Sequence, residues 1–320
     1  MEGVLQAADR FQQRHGVLGF PVAVIKKFGD DQAGKHAVLL AYYGLFSLFP
    51  LLLVFVTVLA YALANNPELQ RQLISTVIAH FPGFGPQLQA SIKTIQGSGI
   101  GLVVGVLGTL WGGLGITQSA QDAMNAVWNI PRKDRPTWGL RLARSLGSLL
   151  LLAVAVFAAT ALAQLGVTGR GVLGRLPLGG SLLLNLLVLA ALCQILTATR
   201  QPWRQLLPGA VVGALGWSVL QALGAYIVSR QLERANLVYG AFAIVIVLLS
   251  WLYLSAQMLL YAAEVNVVLV RRLWPRSLLQ SPLTGPDQQV LVALAETEER
   301  LPQETIEVRF SSEVNGEETH

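Results

Sequence analysis

Charged residues are scarce in this chain. They make up 13% of 320 residues, and the stretch from Leu237 to Val270 holds a single one, Glu264. A soluble domain could not leave so uniformly apolar a stretch on its surface. Cysteine is scarcer still: Cys193 stands alone in an apolar run, which excludes an internal disulfide and reads as a small buried hydrophobe. The histidines His15, His36, His80 and His320 are scattered. None shares metal-ligand spacing with another ligand type, so no metal or other cofactor is expected. Glu2 and Asp9 break any apolar core at the amino terminus, which is therefore not a cleaved signal, and the first true span should serve for insertion. No G-x-x-x-x-G-K loop and no spaced nucleophile and base occur, so neither catalysis nor a nucleic-acid partner is expected.

With 53% hydrophobic residues, the composition is that of an all-α integral membrane protein. A helix rising ~1.5 Å per residue crosses the hydrocarbon core with about 20 apolar residues. Gly240 to Tyr261 supplies them, and the remainder runs out to Arg271 and Arg272, where cations can reach headgroups. The same reasoning places earlier spans near Ala37–Ala64, Gly99–Thr117, Ser145–Leu165, Leu182–Thr199 and Leu206–Ser229, six in all. The domain plan is an amphipathic cytosolic or interfacial segment over 1–36, a six-helix membrane domain over 37–272 and an acidic cytosolic tail over 273–320.

Within residues 1–36, Val22 to Phe28 is a short apolar piece carrying Lys26 and Lys27. It reads equally as a solvated helix packed on the bundle or as a contact with anionic lipid. In the first span Pro50 removes an amide and crowds the carbonyl four residues back, so a kink is expected near Phe46 and Ser47, with Ser47 placed to satisfy the freed carbonyl. Residues 65–98 read as two amphipathic helices on the outer surface, because Asn66, Pro67 and Glu68 form a helix start and apolar stripes flank the breaker PGFGP. In the second span Gly101, Gly105, Gly108 and Gly112 recur at threes and fours, a face that lets another helix approach closely. Gly209 and Gly213 repeat this in the fifth.

Lys and Arg number five before the first span, five in the loop after the second, two after the fourth and five after the sixth; the three alternate segments hold two each. That asymmetry puts both termini in the cytosol. From Asp287 onward the tail holds nine of the 18 acidic residues against Arg300 and Arg309, so it reads as a solvated, disordered or weakly helical appendage, with Val290 to Leu294 able to dock on a partner or on the basic loops.

Two polar stripes are the candidate site. Gln118, Asp122, Asn125 and Asn129 follow the second span, while Ser250, Gln257, Tyr261 and Glu264 descend one face of the sixth, with Asn266 beyond. Glu264 lies about 20 Å from the middle of its span, near headgroup level, so it is either solvated or bonded to a cytosolic loop, or else part of that stripe as a gate or latch. With no carboxylate deep in any span, a lipid or amphipathic solute suits the interior better than a bare ion.

The runs AYYGLFSLFPLLLV, DAMNAVWNIPRKDRP, PWRQLLPGAVVGALGW and YGAFAIVIVLLSWLYLSAQMLLYAAEVN resemble the YihY/BrkB family of bacterial inner-membrane proteins, over about residues 20–275. The last is the most specific, for its order Tyr-Gly-Ala, Trp-x-Tyr-x-Ser and Glu-x-Asn. The resemblance implies a six-helix plasma-membrane protein; members have carried the labels ribonuclease BN and serum-resistance factor, and some are linked to lipid passage. It implies no agreed catalytic set, and the ribonuclease label has no chemical support in these residues. The leading expectation is assistance to translocation of a lipid or amphipathic solute, with membrane lipids as partners. The alternative is a non-transporting scaffold that recruits envelope or cytosolic partners through its basic loops and acidic tail; a second copy of the chain or an envelope protein is the protein partner expected.

Overall fold

The computed structural model describes residue 9 and residues 11–13, 16–62, 99–168, 176–239, 241–278 and 283–310. These form eight α-helices: α1 (Gly16–Asp30), α2 (Ala33–Ala62), α3 (Gly99–Val127), α4 (Trp138–Thr168), α5 (Leu176–Leu196), α6 (Trp203–Tyr239), α7 (Ala241–Arg271) and α8 (Gly285–Glu296), with a 3-10 turn at Arg132–Asp134. No strand occurs among the described residues. Four helices there are long and apolar enough to cross a membrane, over Trp138–Ala159, Gly179–Leu196, Trp203–Leu223 and Val245–Arg271. The helices α2 and α3 cover the first two expected spans, and α2 is helical across Pro50, whose side chain lies outside the described ones. The amphipathic pair expected over 65–98 also lies outside the described residues.

The chain packs as two compact units, Met1–His36 with Ala120–Ser218 and Gln257–His320, and Ala37–Ser119 with Val219–Ala256. In the second unit, α2 and α3 meet where glycine removes the obstacle. A methyl added at Gly112 would fall 2.7 Å from Ser47 Cβ, and one at Gly115 2.8 Å from Tyr43 Cε1. Ser47 Oγ donates to Gly44 O at 2.8 Å within its own helix. The burial of Gly101 and Gly105 lies outside the described residues, whereas Gly108 is half-buried.

In the first unit, α4 packs on α5, and α6 approaches α7 through Gly209 and Gly213. A Cβ at Gly209 would collide with the Ala262 carbonyl oxygen, and one at Gly213 would lie 2.8 Å from Ala262 Cβ. The Gly209 amide is instead free to donate to Asn266 Oδ1 at 2.7 Å, one residue past Pro208, where the helix has lost an amide.

The tail is corrected over its described part. Residues 283–310 are not disordered: Thr284 and Asp287 close a capping box, with Pro286 beside them in the first turn, and start α8. Composition points the other way because six of the chain's 18 acids sit there, yet several of them find a cation. Lys133 Nζ meets Glu299 at 2.7 Å, Arg132 meets Glu298 at 3.3 Å, and the Arg132 amide donates to Thr297 O. The tail therefore docks on the basic loop that follows α3.

Candidate functional site: a buried polar node

The node is built where α3 ends. Asn129 adopts φ 46°, and its amide donates to Ala126 O while Ile130 N reaches back to Asn125 O, both at 2.8 Å. This is a Schellman closure, and asparagine tolerates its left-handed position better than most residues. The turn leaves carbonyls without helical partners. Lys27 Nζ donates to Val127 O at 3.1 Å and Arg271 Nη2 to Trp128 O at 2.6 Å, so two cations sit at the negative end of the α3 dipole.

The carboxylates follow the cations. Lys27 Nζ also donates to Asp31 Oδ2, one turn further on, and stands 3.9 Å from Glu264 Oε2. Asn129 Nδ2 donates to Asp31 Oδ1 at 3.1 Å. Phe28 stacks on Tyr261 at 4.1 Å between ring centroids, which packs α1 on α7 beside the charges. Lys27, Asp31 and Glu264 are fully buried. The Val22–Phe28 piece packs on the bundle, as one reading expected, but Lys27 is neither solvated nor lipid-facing, and Lys26 binds Ser277 O and Asp287. A solvated Glu264 is corrected likewise, because its side chain has no access to water.

The two stripes separate into distinct tasks. After α3, Asp122 forms a half-exposed pair, both oxygens accepting from Arg141 Nη2 at 3.1 Å with Arg135 at 3.9 Å. Asn125 Oδ1 accepts from the Ala198 amide at 2.8 Å, and Arg144 caps the same turn through Thr197 O and Ala198 O. Gln121 Nε2 joins α3 to α4 through Arg141 O and Ser145 Oγ. Gln118 is half-buried, and of this stripe Asn129 alone enters the node. Along α7, Ser250 is exposed, Gln257 and Tyr261 are half-buried, Glu264 is in the node, and Asn266 serves the α6 contact.

A second cluster fastens both chain ends. Asp9 accepts from Gln12, Gln13, Ser277 Oγ and the Leu278 amide. Burial pushes its carboxyl up, but these donors together hold it below the ordinary value. Asp287 accepts from Lys26, Arg276 Nε, the Ser277 amide and Thr284. There too burial works upward, and the donors hold the carboxyl well below the usual carboxylate range. Arg276 is itself buried and reaches Asp30 at 2.7 Å.

Sequence reading assigns Lys27 and Arg271 other roles, as a lipid-contact or solvated lysine and a headgroup anchor, and offers none for Asp31 or Arg276. The available signal was Lys27 in an apolar piece with Asp31 four residues on, just past its end, an arrangement that neutralises charge before burial.

Comparison with known proteins agrees with this helical membrane architecture. The chain is 29% identical over 281 residues to the ribonuclease-like protein YfkH of Bacillus subtilis, covering 80% of this chain and 96% of that protein. It is 28% identical over 258 residues to a UPF0761 membrane protein of Alkalilimnicola ehrlichii, of whose length it spans 57%. It is 21% identical over 287 residues to the inner membrane protein YhjD of Escherichia coli, covering 82% of this chain and 84% of that protein. No solved structure matches the chain. The family described as virulence factor BrkB matches residues 24–281, which include every residue of the α3 node, and the chain belongs to that family.

Proposed function

We propose that this is a multi-pass inner-membrane protein with six spans and both termini in the cytosol, and that it assists the passage of a lipid or amphipathic solute. The observation that carries the reading is the placement of charge. Within the first unit the end of α3 meets the start of α4, the start of α4 meets the end of α5, and α6 near its start meets α7 near its end. In the same unit the segments near both chain ends are fastened together through Asp9 and Asp287. Segments near both ends brought together in one unit agree with an even number of spans.

Away from that cluster the long helices carry no charge over 37–62, 99–121, 145–168, 176–196, 205–229 and 241–263. An ion or polar solute would meet no fixed counter-charge along those lengths, whereas a molecule with an apolar body needs none. The spans also leave large apolar side chains uncovered, such as Leu150, Val154 and Phe157 of α4. Membrane lipids are the partners this surface suits.

The scaffold reading is less well supported, because the surfaces it would use engage each other: Lys133 with Glu299 and Arg132 with Glu298. YfkH carries ribonuclease-like in its name; for this chain the proposal assigns no catalysis. The test is reconstitution of the purified full chain in vesicles carrying a fluorescent phospholipid in both leaflets, with an impermeant quencher outside. The reading expects faster loss of inner-leaflet fluorescence than in protein-free vesicles, and equal rates would refute it.

A further inference from the structure

Lys27, Asp31 and Glu264 have side chains wholly shielded from solvent. One is a base and two are acids, and both acids stand beside the same ammonium. Asp31 is well supplied, with donors from Lys27 and Asn129. Glu264 is not, because neither of its oxygens accepts a hydrogen bond and Lys27 remains 3.9 Å away, already committed to Asp31 and Val127 O. A buried carboxylate without a donor is among the least tolerable groups in a protein interior. Two carboxyl groups side by side bond only when a proton lies between them. With Lys27 charged and Asp31 ionised, the buried trio is neutral when Glu264 carries a proton.

The surrounding groups do not remove that need. From α1 and its end, Lys27, Asp30 and Asp31 face Glu264, and Asp30 is taken up by Arg276. His36 of α2 and Arg271 of α7 act on Asp31, and Arg271 spends its guanidinium on Trp128 O and Asn129 Oδ1, with Glu296 of α8 also in its field. From α6, Gly209 and Gly213 pack on the Glu264 turn with no ionisable group.

We propose that Glu264 is a proton-binding site, whose carboxyl holds a proton donated to Asp31 and releases it only when α1 parts from α7. On release the O–H bond breaks, the proton passes to water, and the electron pair stays on Glu264. The trio then holds one uncompensated negative charge, which outward movement of α1 relieves. This site rests on the packing of the first unit and stands whether or not the chain moves a lipid.

The test is infrared spectroscopy of the full chain in detergent micelles, reading the C=O stretch of a protonated carboxylic acid. At neutral pH the wild type is expected to show such a band, shifted by carbon-13 glutamate labelling and absent from Glu264→Gln. Glutamine retains an N–H for Asp31, so the variant is expected to fold; if it does not, labelling of the wild type decides alone. As the band is lost at alkaline pH, the protection of the α1 backbone amides, taken relative to their intrinsic exchange rates at each pH, should fall with it, and in Glu264→Gln it should stay level over the same range. A wild type without a glutamate-derived band at neutral pH overturns the proposal, as does a band that Glu264→Gln leaves intact.

Discussion

Lys27 Nζ donates to the Val127 carbonyl at 3.1 Å, so a cation from α1 closes the last turn of α3. The same ammonium neutralises Asp31, which makes Lys27 the joint between a helix end and a buried acid. Lys27→Met is expected to destabilise the protein by about 3–5 kcal/mol, the usual cost of stranding one partner of a buried pair. Adding Asp31→Asn should recover part of that loss, because the stranded charge is gone. Thermal unfolding in detergent of both single variants and the double variant measures the coupling.

Glycine at 209 is expected to be irreplaceable. An alanine methyl would collide with the Ala262 carbonyl, a backbone atom that cannot rotate away. Gly209→Ala should cost about 1–3 kcal/mol or more. Gly147→Ala in α4, where nothing lies within 4 Å, is the matched control. It should be neutral or stabilising by up to about 1 kcal/mol in the same melting assay.

Asn129 contributes a backbone conformation and a hydrogen bond, and the two can be separated. Asn129→Ala loses the side-chain bonds to Asp31, Ala126 O and Arg271 and, with them, the local polar contact that lets asparagine tolerate φ 46°, about 2 kcal/mol together. Asn129→Gly keeps the turn and loses only the side-chain bonds to Asp31, Ala126 O and Arg271, so it should cost roughly half as much. Equal losses in the melting assay would assign the whole effect to the side chain.

Tail docking is expected to be acid-labile. The folded protein holds Asp287 below the ordinary carboxylate value, so its contribution is complete above about pH 4 and is lost as pH falls through the depressed folded value. Limited proteolysis should therefore find residues 283–310 protected at neutral pH and released only in strong acid. Asp287→Asn should expose them at neutral pH. The loss is about 3 kcal/mol, moderated because Arg276 keeps Asp30.

Hydropathy made the helices legible and left their ends short. The fifth span reads as Leu206–Ser229 and is found as Trp203–Tyr239, because polar turns continue a helix beyond its apolar core. The glycine faces at Gly112 and Gly209 were also readable, since their spacing states that something must come close without saying what. The node was not readable: Lys27 and Glu264 are far apart in sequence, and a lone charge in an apolar run gives no sign of its partner. In the tail, Thr284-x-x-Asp287 was a start signal, but composition outweighed it because an acid count ignores the cations that Lys26, Arg276 and Lys133 bring from elsewhere.

We propose that the segments near both chain ends, fastened together through Asp9 and Asp287, lie on the cytosolic side. Cys193 is buried, so thiols placed at Phe11 and Gln303, both exposed, would report without background. Phe11→Cys and Gln303→Cys, each in the full chain, are labelled with a membrane-impermeant maleimide in spheroplasts and in inverted vesicles. The account expects both thiols to react in inverted vesicles and to stay silent in intact spheroplasts. Reaction of either thiol in intact spheroplasts would contradict it.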